Sequence, residues 1–380
     1  MKKLFFISLA ALTLVFCSKE EKVDKEPLKI ISIEAPENGA YFQLGESIEI
    51  SVETNFPLAE NLRYEWRVNE TYLPENSPNI KINLSKRGEY HIIGYITKGI
   101  FRDSLSFTYY TVDGANKSKT KWISELLEYV PAPGQFINKG LGNMASAQTI
   151  VNQKGMISLG GYGGYVTFKF DHSVINGEGY DFVVLGNAFK GSSEPGIVMV
   201  SYDQNGNGVA DDPWYELAGS EYHKESTLKN YSLTYYKPTQ TEKSESIRWT
   251  DNQGAEGVAP ANPFHKQCYY PLFLPQGVPD MITFSGTILD YASPDQKKWI
   301  GELDWGYADN YSPLYTMVVN EDNDTRNSNK FDINWAVDSN GKPVKLYAID
   351  FIKVYTGVNQ HHDAFGEKST EVCGAISLRR

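Results

Sequence analysis

Residues 179–187, Gly-Tyr-Asp-Phe-Val-Val-Leu-Gly-Asn, contain the clearest strand signal in the chain. The run from Phe182 to Leu185 is wholly apolar and rich in β-branched and aromatic residues. It lies between Gly179 and Gly186. A short apolar run of this kind is typical of a strand that is buried on both faces. The stretch therefore predicts a central strand over residues 181–185.

Further strand-like segments surround this one, and long loops rich in Gly, Pro and Asn separate them. Strands are predicted at 165–170, 197–202, 281–284 and 346–355, and a short helix at 122–129, before Pro131. Many strands joined by elaborate loops are typical of a β-sandwich. We expect residues 121–380 to form one large, jelly-roll-like β-sandwich that carries the ligand site in its loops.

Residues 28–112 show shorter strands with turns between them. Residues 47–52 alternate polar and apolar with period two, which indicates a half-buried strand. The spacing predicts an immunoglobulin-like sandwich. Tyr64-x-Trp66 and Gly88-x-Tyr90 resemble the PKD-like subgroup of such domains. The polar residues 113–120 are expected to form a linker, so the fold class is all-β with two domains.

Composition narrows the class of protein further. The hydrophobic fraction of 41% excludes disorder of the whole chain. The net charge of −11, without a basic run, argues against binding nucleic acid, because neutralising phosphates drives that affinity. Three cysteines are too few for a disulfide-built scaffold or a four-cysteine zinc site. The 25 Tyr and 7 Trp form an aromatic surplus that needs a role.

The N-terminus resembles a bacterial lipoprotein signal. Lys2 and Lys3 precede an apolar run over 4–16 that is too short to span a bilayer, and Cys17 follows. We expect residues 1–16 to be removed, Cys17 to be lipidated, and residues 17–27 to form a tether. Lys19-Glu20-Glu21 is similar to the surface-export signal of such lipoproteins, which implies a lipid anchor in the outer membrane, facing the cell exterior. A plain signal peptide is the alternative. Removal of the signal changes the net charge to −13.

Residues 203–212, Asp-Gln-Asn-Gly-Asn-Gly-Val-Ala-Asp-Asp, are similar to a calcium loop. Oxygen-bearing side chains alternate along the stretch and a glycine follows at the sixth position, as in a Ca²⁺-binding loop. Trp214 stands at the twelfth position, where a bidentate Glu is usual. The expected ligands of a structural calcium ion are Asp203, Asn205, Asn207, Asp211 and Asp212. A metal-free hairpin turn is the alternative.

Five of the seven tryptophans lie after residue 200. Aromatic rings among Gly and acidic residues can present flat faces to a sugar or to a macrocycle. The candidate ligand-binding residues are Trp214, Tyr215, Trp249, Trp299, Trp305 and Tyr307. For any single ring, packing of a loop onto the core is the alternative.

Three further patterns remain. Residues 160–164, Gly-Gly-Tyr-Gly-Gly, lead into a strand and not a helix, so they predict a turn or a close backbone approach and not a phosphate loop. Glu302 and Asp304 offer two carboxylates of the kind a glycoside hydrolase uses, with surface charge as the alternative. Cys268 and Cys373 are candidates for a disulfide in an oxidising compartment.

Several segments of the large domain resemble a family of surface lipoproteins from gut bacteria. These segments are residues 129–138, 158–164, 186–189, 193–196, 211–221, 331–337 and 349–355. The resemblance implies a non-enzymatic protein that binds cobalamin (vitamin B12) as a ligand and acts beside a TonB-dependent outer-membrane transporter. The alternative is a glycan-binding surface lipoprotein, and a glycoside hydrolase ranks below both.

Overall fold

The computed structural model describes residues 26–57, 61–114, 120–274, 276–291, 302–312, 328–362 and 366–379. In these residues the chain is almost entirely β, as the sequence predicts, with one short α-helix (α1, Met144–Gln148) and one 3-10 turn (Ile333–Trp335). In this described part, no helix has the length and apolar character needed to cross a membrane. The all-β fold class is confirmed.

Contacts divide the chain into two compact units. The smaller unit contains the described residues before 39, together with 48–82 and 90–108. The larger unit contains 39–47, 83–89 and the described residues from 109 onward. Three segments that precede the expected linker at 113–120 therefore belong to the larger unit: 39–47, 83–89 and 109–112.

The first eight strands form two sheets. The strands are β1 (Ile30–Glu34), β2 (Tyr41–Gln43), β3 (Ser47–Thr54), β4 (Arg63–Val68), β5 (Thr71–Leu73), β6 (Asn79–Asn83), β7 (Gly88–Lys98) and β8 (Phe101–Val112). The sheet orders are β1-β3-β6 and β2-β8-β7-β4-β5. In β3, Ile48, Ile50 and Val52 are buried, as the alternating pattern predicts. Trp66 is fully buried in β4 and donates from its indole nitrogen to the carbonyl of Ser77.

The other seventeen strands belong to the larger unit. They are β9 (Glu125–Val130), β10 (Ile157–Ser158), β11 (Tyr165–Ile175), β12 (Phe182–Leu185), β13 (Gly196–Ser201), β14 (Trp214–Leu217), β15 (Leu228–Tyr236), β16 (Ile247–Asp251), β17 (Glu256–Ala259), β18 (Met281–Ile288), β19 (Ser328–Phe331), β20 (Ala336–Val337), β21 (Ala348–Thr356), β22 (His361–His362), β23 (Gly366–Glu367), β24 (Glu371–Val372) and β25 (Gly374–Ser377). The main sheet has six strands in the order β20-β14-β13-β21-β11-β9. Smaller sheets are β17-β16-β15-β18, β19-β12-β25, β10-β24 and β22-β23.

The six-stranded sheet is covered on both faces. In β13, Val198 and Val200 pack into a core shared with Phe182 and Val184 of β12. Ile197, which precedes Val198 and points to the opposite face, packs into a second core with Leu233 of β15. Because successive side chains of a strand point to opposite faces, a sheet buried on both sides needs continuous apolar strands. This explains why residues 197–200 of β13 are all apolar.

The expected central strand is confirmed. All four residues of β12 are buried, and the strand pairs with β19 on one side and β25 on the other. The expected helix at 122–129 is wrong, because residues 125–130 form β9 at the edge of the main sheet, paired with β11. A local helical pattern is overridden here by the backbone hydrogen bonds that an edge position offers.

The glycine-rich segment 160–164 is a close backbone approach, as one of its two interpretations predicts. Gly161 donates to the carbonyl of Pro133, and Gly163 to that of Thr356. At Gly160, which has a φ of +74°, an added Cβ would lie 2.0 Å from the carbonyl oxygen of Ala132. The segment links β10 to β11, and at Gly160 the neighbouring backbone leaves no room for a side chain.

Candidate functional site: an acidic cavity in the larger unit

A cavity of about 660 Å³ lies in the larger unit. Its lining comes from three parts of the chain: residues within 135–141, 187–194 and 362–371. The side chain of Phe189 is 66% exposed, and Phe136 is half-buried with its ring centroid 5.0 Å from that of His265. The walls thus offer apolar aromatic surface, while Gln135, Glu194, Glu367 and Glu371 supply polar atoms.

Three carboxyl groups lie close together: those of Glu194 and Glu371, which line the cavity, and that of Asp309. Each offers one oxygen, and these oxygens lie within 4.8 Å of one another. Asp309 is held by backbone amides: its Oδ1 accepts from Asn187 and Ala188 at 2.8 and 2.9 Å, and its Oδ2 from Glu371 at 2.9 Å. The loop after β12 and the start of β24 therefore fix the cluster.

The environment raises the pKa of all three carboxyl groups. Burial, with repulsion from Glu194 second, raises the pKa of Asp309 to about 8. Burial is also the main reason why the pKa values of Glu194 and Glu371 lie above their usual range. Charged forms are disfavoured away from water, and like charges at short range add to that cost.

Glu367 and Lys368 extend the buried charged region. Glu367 Oε1 accepts from the backbone amide of Gln135 at 2.7 Å, whereas its Oε2 is buried and has no hydrogen-bond partner among the described residues. Burial raises the pKa of Glu367 to about 8. Burial lowers the pKa of Lys368 to about 8, although the charge of Glu194 opposes the shift. The Lys368 ammonium donates to the carbonyl of Ser193 at 3.5 Å.

The buried Glu367 predicts a stability that falls as pH rises. Its folded pKa of about 8 lies above the ordinary 4.5, so the folded state holds a proton that the unfolded state has released between these values. The free energy of unfolding should therefore decrease from pH 5 to pH 8, with a share on the order of 3 kcal/mol from this group. In Glu367→Gln, urea unfolding at both pH values should show a shallower decrease. Glu256→Gln, an exposed control, should keep the wild-type dependence, and equal slopes in all three proteins would contradict the assignment.

In the described part of the chain, the expected aromatic residues do not come together at one site. Trp249 and Tyr307 are buried in the core between the main sheet and β15–β18. Trp305 packs on Trp335 with ring centroids 4.7 Å apart. Trp214 and Tyr215 lie half-buried on β14, and Trp299 lies outside the described residues. None of the five described aromatics is among the described residues that line the 660 Å³ cavity.

The structure also shows where the expected carboxyl pair and the cysteines lie. Glu302 and Asp304 are both exposed, in agreement with surface charge. Cys268 and Cys373 are free, buried thiols in the described part of the chain. They lie in two different hydrophobic clusters, so the disulfide considered from the sequence is not formed. Cys17 lies outside the described residues.

The loop 203–212 is held together by its own side chains. Asp203 Oδ1 accepts from the amides of Gly206 and Asn207, and its Oδ2 from that of Gly208. The side-chain amide of Asn207 donates to both carboxylate oxygens of Asp211, at 3.3 and 3.1 Å. These bonds give the loop its shape from protein atoms alone. The calcium ion expected here stays a prediction.

Asp203 also belongs to a buried ion cluster around Arg87. The Arg87 side chain is 2% exposed and lies 2.8 Å from Asp113, 3.2 Å from Asp203 and 3.3 Å from Asp350. Its Nη1 also donates to the carbonyl of Asp203 at 2.7 Å, and the guanidinium lies over the ring of Tyr202. Burial works against the charge of Arg87, but the surrounding carboxylates hold its pKa above the usual value.

No motif in the sequence marks the three carboxyl groups of the cluster. Residues 194, 309 and 371 are far apart in the chain, and each resembles an ordinary charged loop or strand residue. One signal was present: Glu371 lies in Ser-Thr-Glu-Val-Cys-Gly-Ala-Ile (369–376), where a lone acid precedes an apolar strand. A charged residue next to such a run, in a sheet buried on both faces, has few ways to reach solvent.

Comparison with known proteins gives the following. No family model and no curated protein matches the sequence. A SusE-like protein of known structure is 10% identical, with 91% of this chain and 95% of that chain covered, at a TM-score of 0.25. Carbohydrate-binding modules of the β-sandwich superfamily are 10% identical at a TM-score of 0.20, covering 93% and 98% of the two chains. The SGBP-B protein of the Bacteroides ovatus mixed-linkage glucan utilization locus is 12% identical at a TM-score of 0.19, covering 64% and 48%. Similarity at these TM-scores leaves the family and the ligand of this chain open.

Proposed function

We propose that the protein is a non-catalytic binding protein whose cavity takes an uncharged carbohydrate. The observation that carries the proposal is the composition of the cavity: the exposed ring of Phe189 lies beside polar groups that include Gln135 and Asn187. A sugar ring offers an apolar C–H face to an aromatic ring and hydroxyl groups to amide and carboxyl oxygens. Acidic groups in the lining disfavour an anionic ligand.

The arrangement of the carboxyls supports binding rather than hydrolysis. One carboxyl of the pair Glu194 and Glu371, in its protonated form, donates a hydrogen bond to the other. Glycoside hydrolases place their two carboxyls about 5 Å or more apart, because the scissile bond lies between them. Two carboxyls in direct contact leave no space for that bond.

A corrinoid is the second candidate ligand. The specific observation is that three of the segments resembling cobalamin-binding lipoproteins, 129–138, 186–189 and 193–196, all contribute residues to this one cavity. Cobalamin is a large amphipathic macrocycle with amide side chains, which aromatic walls and polar groups suit. In that case the protein would pass its ligand to a TonB-dependent transporter.

Titration calorimetry with a panel of neutral oligosaccharides, and separately with cyanocobalamin, tests both candidates. Phe189→Ala should weaken binding of the true ligand at least tenfold, since it removes the exposed aromatic face. Phe264→Ala, an 80% exposed phenylalanine outside the cavity lining, should leave binding unchanged. Heat with oligosaccharides alone supports the first candidate, and heat with cyanocobalamin alone supports the second. Absence of binding to either, or equal effects of the two substitutions, would contradict the cavity as the site.

We also propose that Cys17 anchors the protein in the outer membrane. A lipid chain supplies membrane affinity without any basic surface, which suits a net charge of −13. Metabolic labelling with a fatty-acid analogue should mark the wild-type protein and leave Cys17→Ser unlabelled. Labelling of the variant would show that the anchor lies elsewhere.

A further inference from the structure

We propose that Glu194, Asp309 and Glu371 bind one calcium ion at the base of the cavity. This site is separate from the loop 203–212 and shares no residue with it. The proposal concerns the chain's own carboxyl groups and does not depend on which organic ligand the cavity takes.

The spacing of the carboxyl oxygens fits one ion. Ca²⁺ binds oxygen ligands at about 2.3–2.6 Å, so two oxygens on the same ion are separated by no more than about 5 Å. The three oxygens offered by the cluster all lie within 4.8 Å of one another. Carboxylate oxygens are hard ligands, which select Ca²⁺, Mg²⁺ or Mn²⁺ over softer metals. Ca²⁺ accepts irregular coordination by carboxylates and water, whereas Mg²⁺ demands near-ideal octahedral geometry and gives up its water reluctantly, which favours Ca²⁺ here.

A second observation points to a missing ligand. Glu371 is 3% exposed, and its Oε1 is buried and has no hydrogen-bond partner within the described chain. Glu367, which is not one of the three ligands but lines the same cavity, has the same property at its Oε2. Leaving a buried acceptor without a partner is costly, and such atoms are rare unless an ion or water completes them.

The charges around the cluster also favour a cation. Four carboxyl groups, those of Glu194, Asp309, Glu367 and Glu371, lie in or beside the cavity, and Lys368 is a basic group of the same region that the structure places beside Glu194. Once the ligating carboxyls release their protons, a divalent ion offsets their mutual repulsion, which is strong at low dielectric.

The scaffold and the access route are both suitable. The backbone amides of Asn187, Ala188 and Glu371 fix the Asp309 carboxyl, so this ligand is oriented before an ion arrives. Glu194 and Glu371 line the cavity, so an ion can reach them from it. Water or oxygens of a bound ligand can fill the remaining positions, since Ca²⁺ takes six to eight oxygens.

Calcium titration of chelator-treated protein tests the proposal, with Glu371→Gln as the site variant and Asp211→Asn as the matched control in the loop 203–212. Both changes replace one carboxylate by an amide of the same shape. In Glu371→Gln, the affinity of one calcium site should fall at least tenfold, and the rise in melting temperature caused by calcium at that site should disappear. The melting temperature of the metal-free variant should not fall, because the substitution removes a buried acid. Asp211→Asn should retain this site.

Three results would overturn the proposal. One is wild-type protein that binds no calcium. Another is calcium binding that is lost in Asp211→Asn and intact in Glu371→Gln, which would place the ion in the loop. The last is a site that prefers Mg²⁺ over Ca²⁺ in competition. If Glu371→Gln fails to give the wild-type circular dichroism spectrum, Glu194→Gln replaces it as the site variant, with the same expected loss.

Discussion

Replacing Arg87 with methionine is expected to lower the free energy of unfolding of the larger unit by about 3–5 kcal/mol. Arg87 is 2% exposed, and three carboxylates lie within 3.3 Å of its guanidinium nitrogens. Methionine fills much of the same volume but leaves Asp203 and Asp350 buried without a countercharge. An unpaired buried charge costs far more than the loss of the ion pair itself.

Urea unfolding of wild type, Arg87→Met and Arg248→Met measures this effect. Arg248 forms an exposed pair with Glu256 at 3.2 Å, with side chains 56% and 71% exposed, so its replacement should leave the midpoint almost unchanged. Arg87→Lys should lie between, because an ammonium keeps the charge but lacks the planar fork that reaches several acceptors. Similar midpoints for Arg87→Met and Arg248→Met would show that the buried cluster contributes no more than a surface pair.

Gly160→Ala is the second change with a large expected effect. The added Cβ would lie 2.0 Å from the carbonyl oxygen of Ala132. That oxygen belongs to the backbone between β9 and the cavity wall, so it cannot move aside as the end of a flexible side chain can. We expect a loss of at least about 4 kcal/mol or failure to fold, since overpacking adds to the strain of alanine at positive φ.

Gly179→Ala separates the strain of alanine at positive φ from the steric contact with Ala132. Gly179 has a φ of +81°, close to the +74° of Gly160, but an added Cβ there meets nothing within 4 Å. This control should therefore lose only the conformational term, about 1 kcal/mol. Equal losses in the two variants would mean that positive φ, and not the contact with Ala132, makes the glycine necessary.

The local hydrophobic pattern predicts those strands in which apolar residues are buried and polar residues are exposed. Phe182–Leu185 is apolar throughout because both faces of β12 are covered, and β3 alternates because one face is exposed. The helix expected at 122–129 failed for the opposite reason. Its pattern suits a helix, but pairing with β11, which is distant in sequence, determines its conformation.

The candidate site was less accessible to sequence reasoning. Glu194, Asp309 and Glu371 come together only through the pairing of segments more than 60 residues apart, which no local pattern reveals. Residue type and loop composition favour the aromatic residues as a binding site, but these two criteria carry no information on which side chains are buried. Trp249 and Tyr307 have the chemistry of a binding face, but the fold uses them to fill its second core.

The Arg87 cluster also constrains the order in which the chain folds. Arg87 and Asp350 are 263 residues apart, so their contact forms only after almost the whole chain is available. Strands of the smaller unit can pair early, because they lie close together in the sequence, whereas the segment 83–89 must wait for β21. During that interval the charged side chains of Arg87 and Asp203 stay in water, and closing so long a loop is slow. We expect the larger unit to reach its native fold later than the smaller one, and its unpaired segments are accessible to proteases until then.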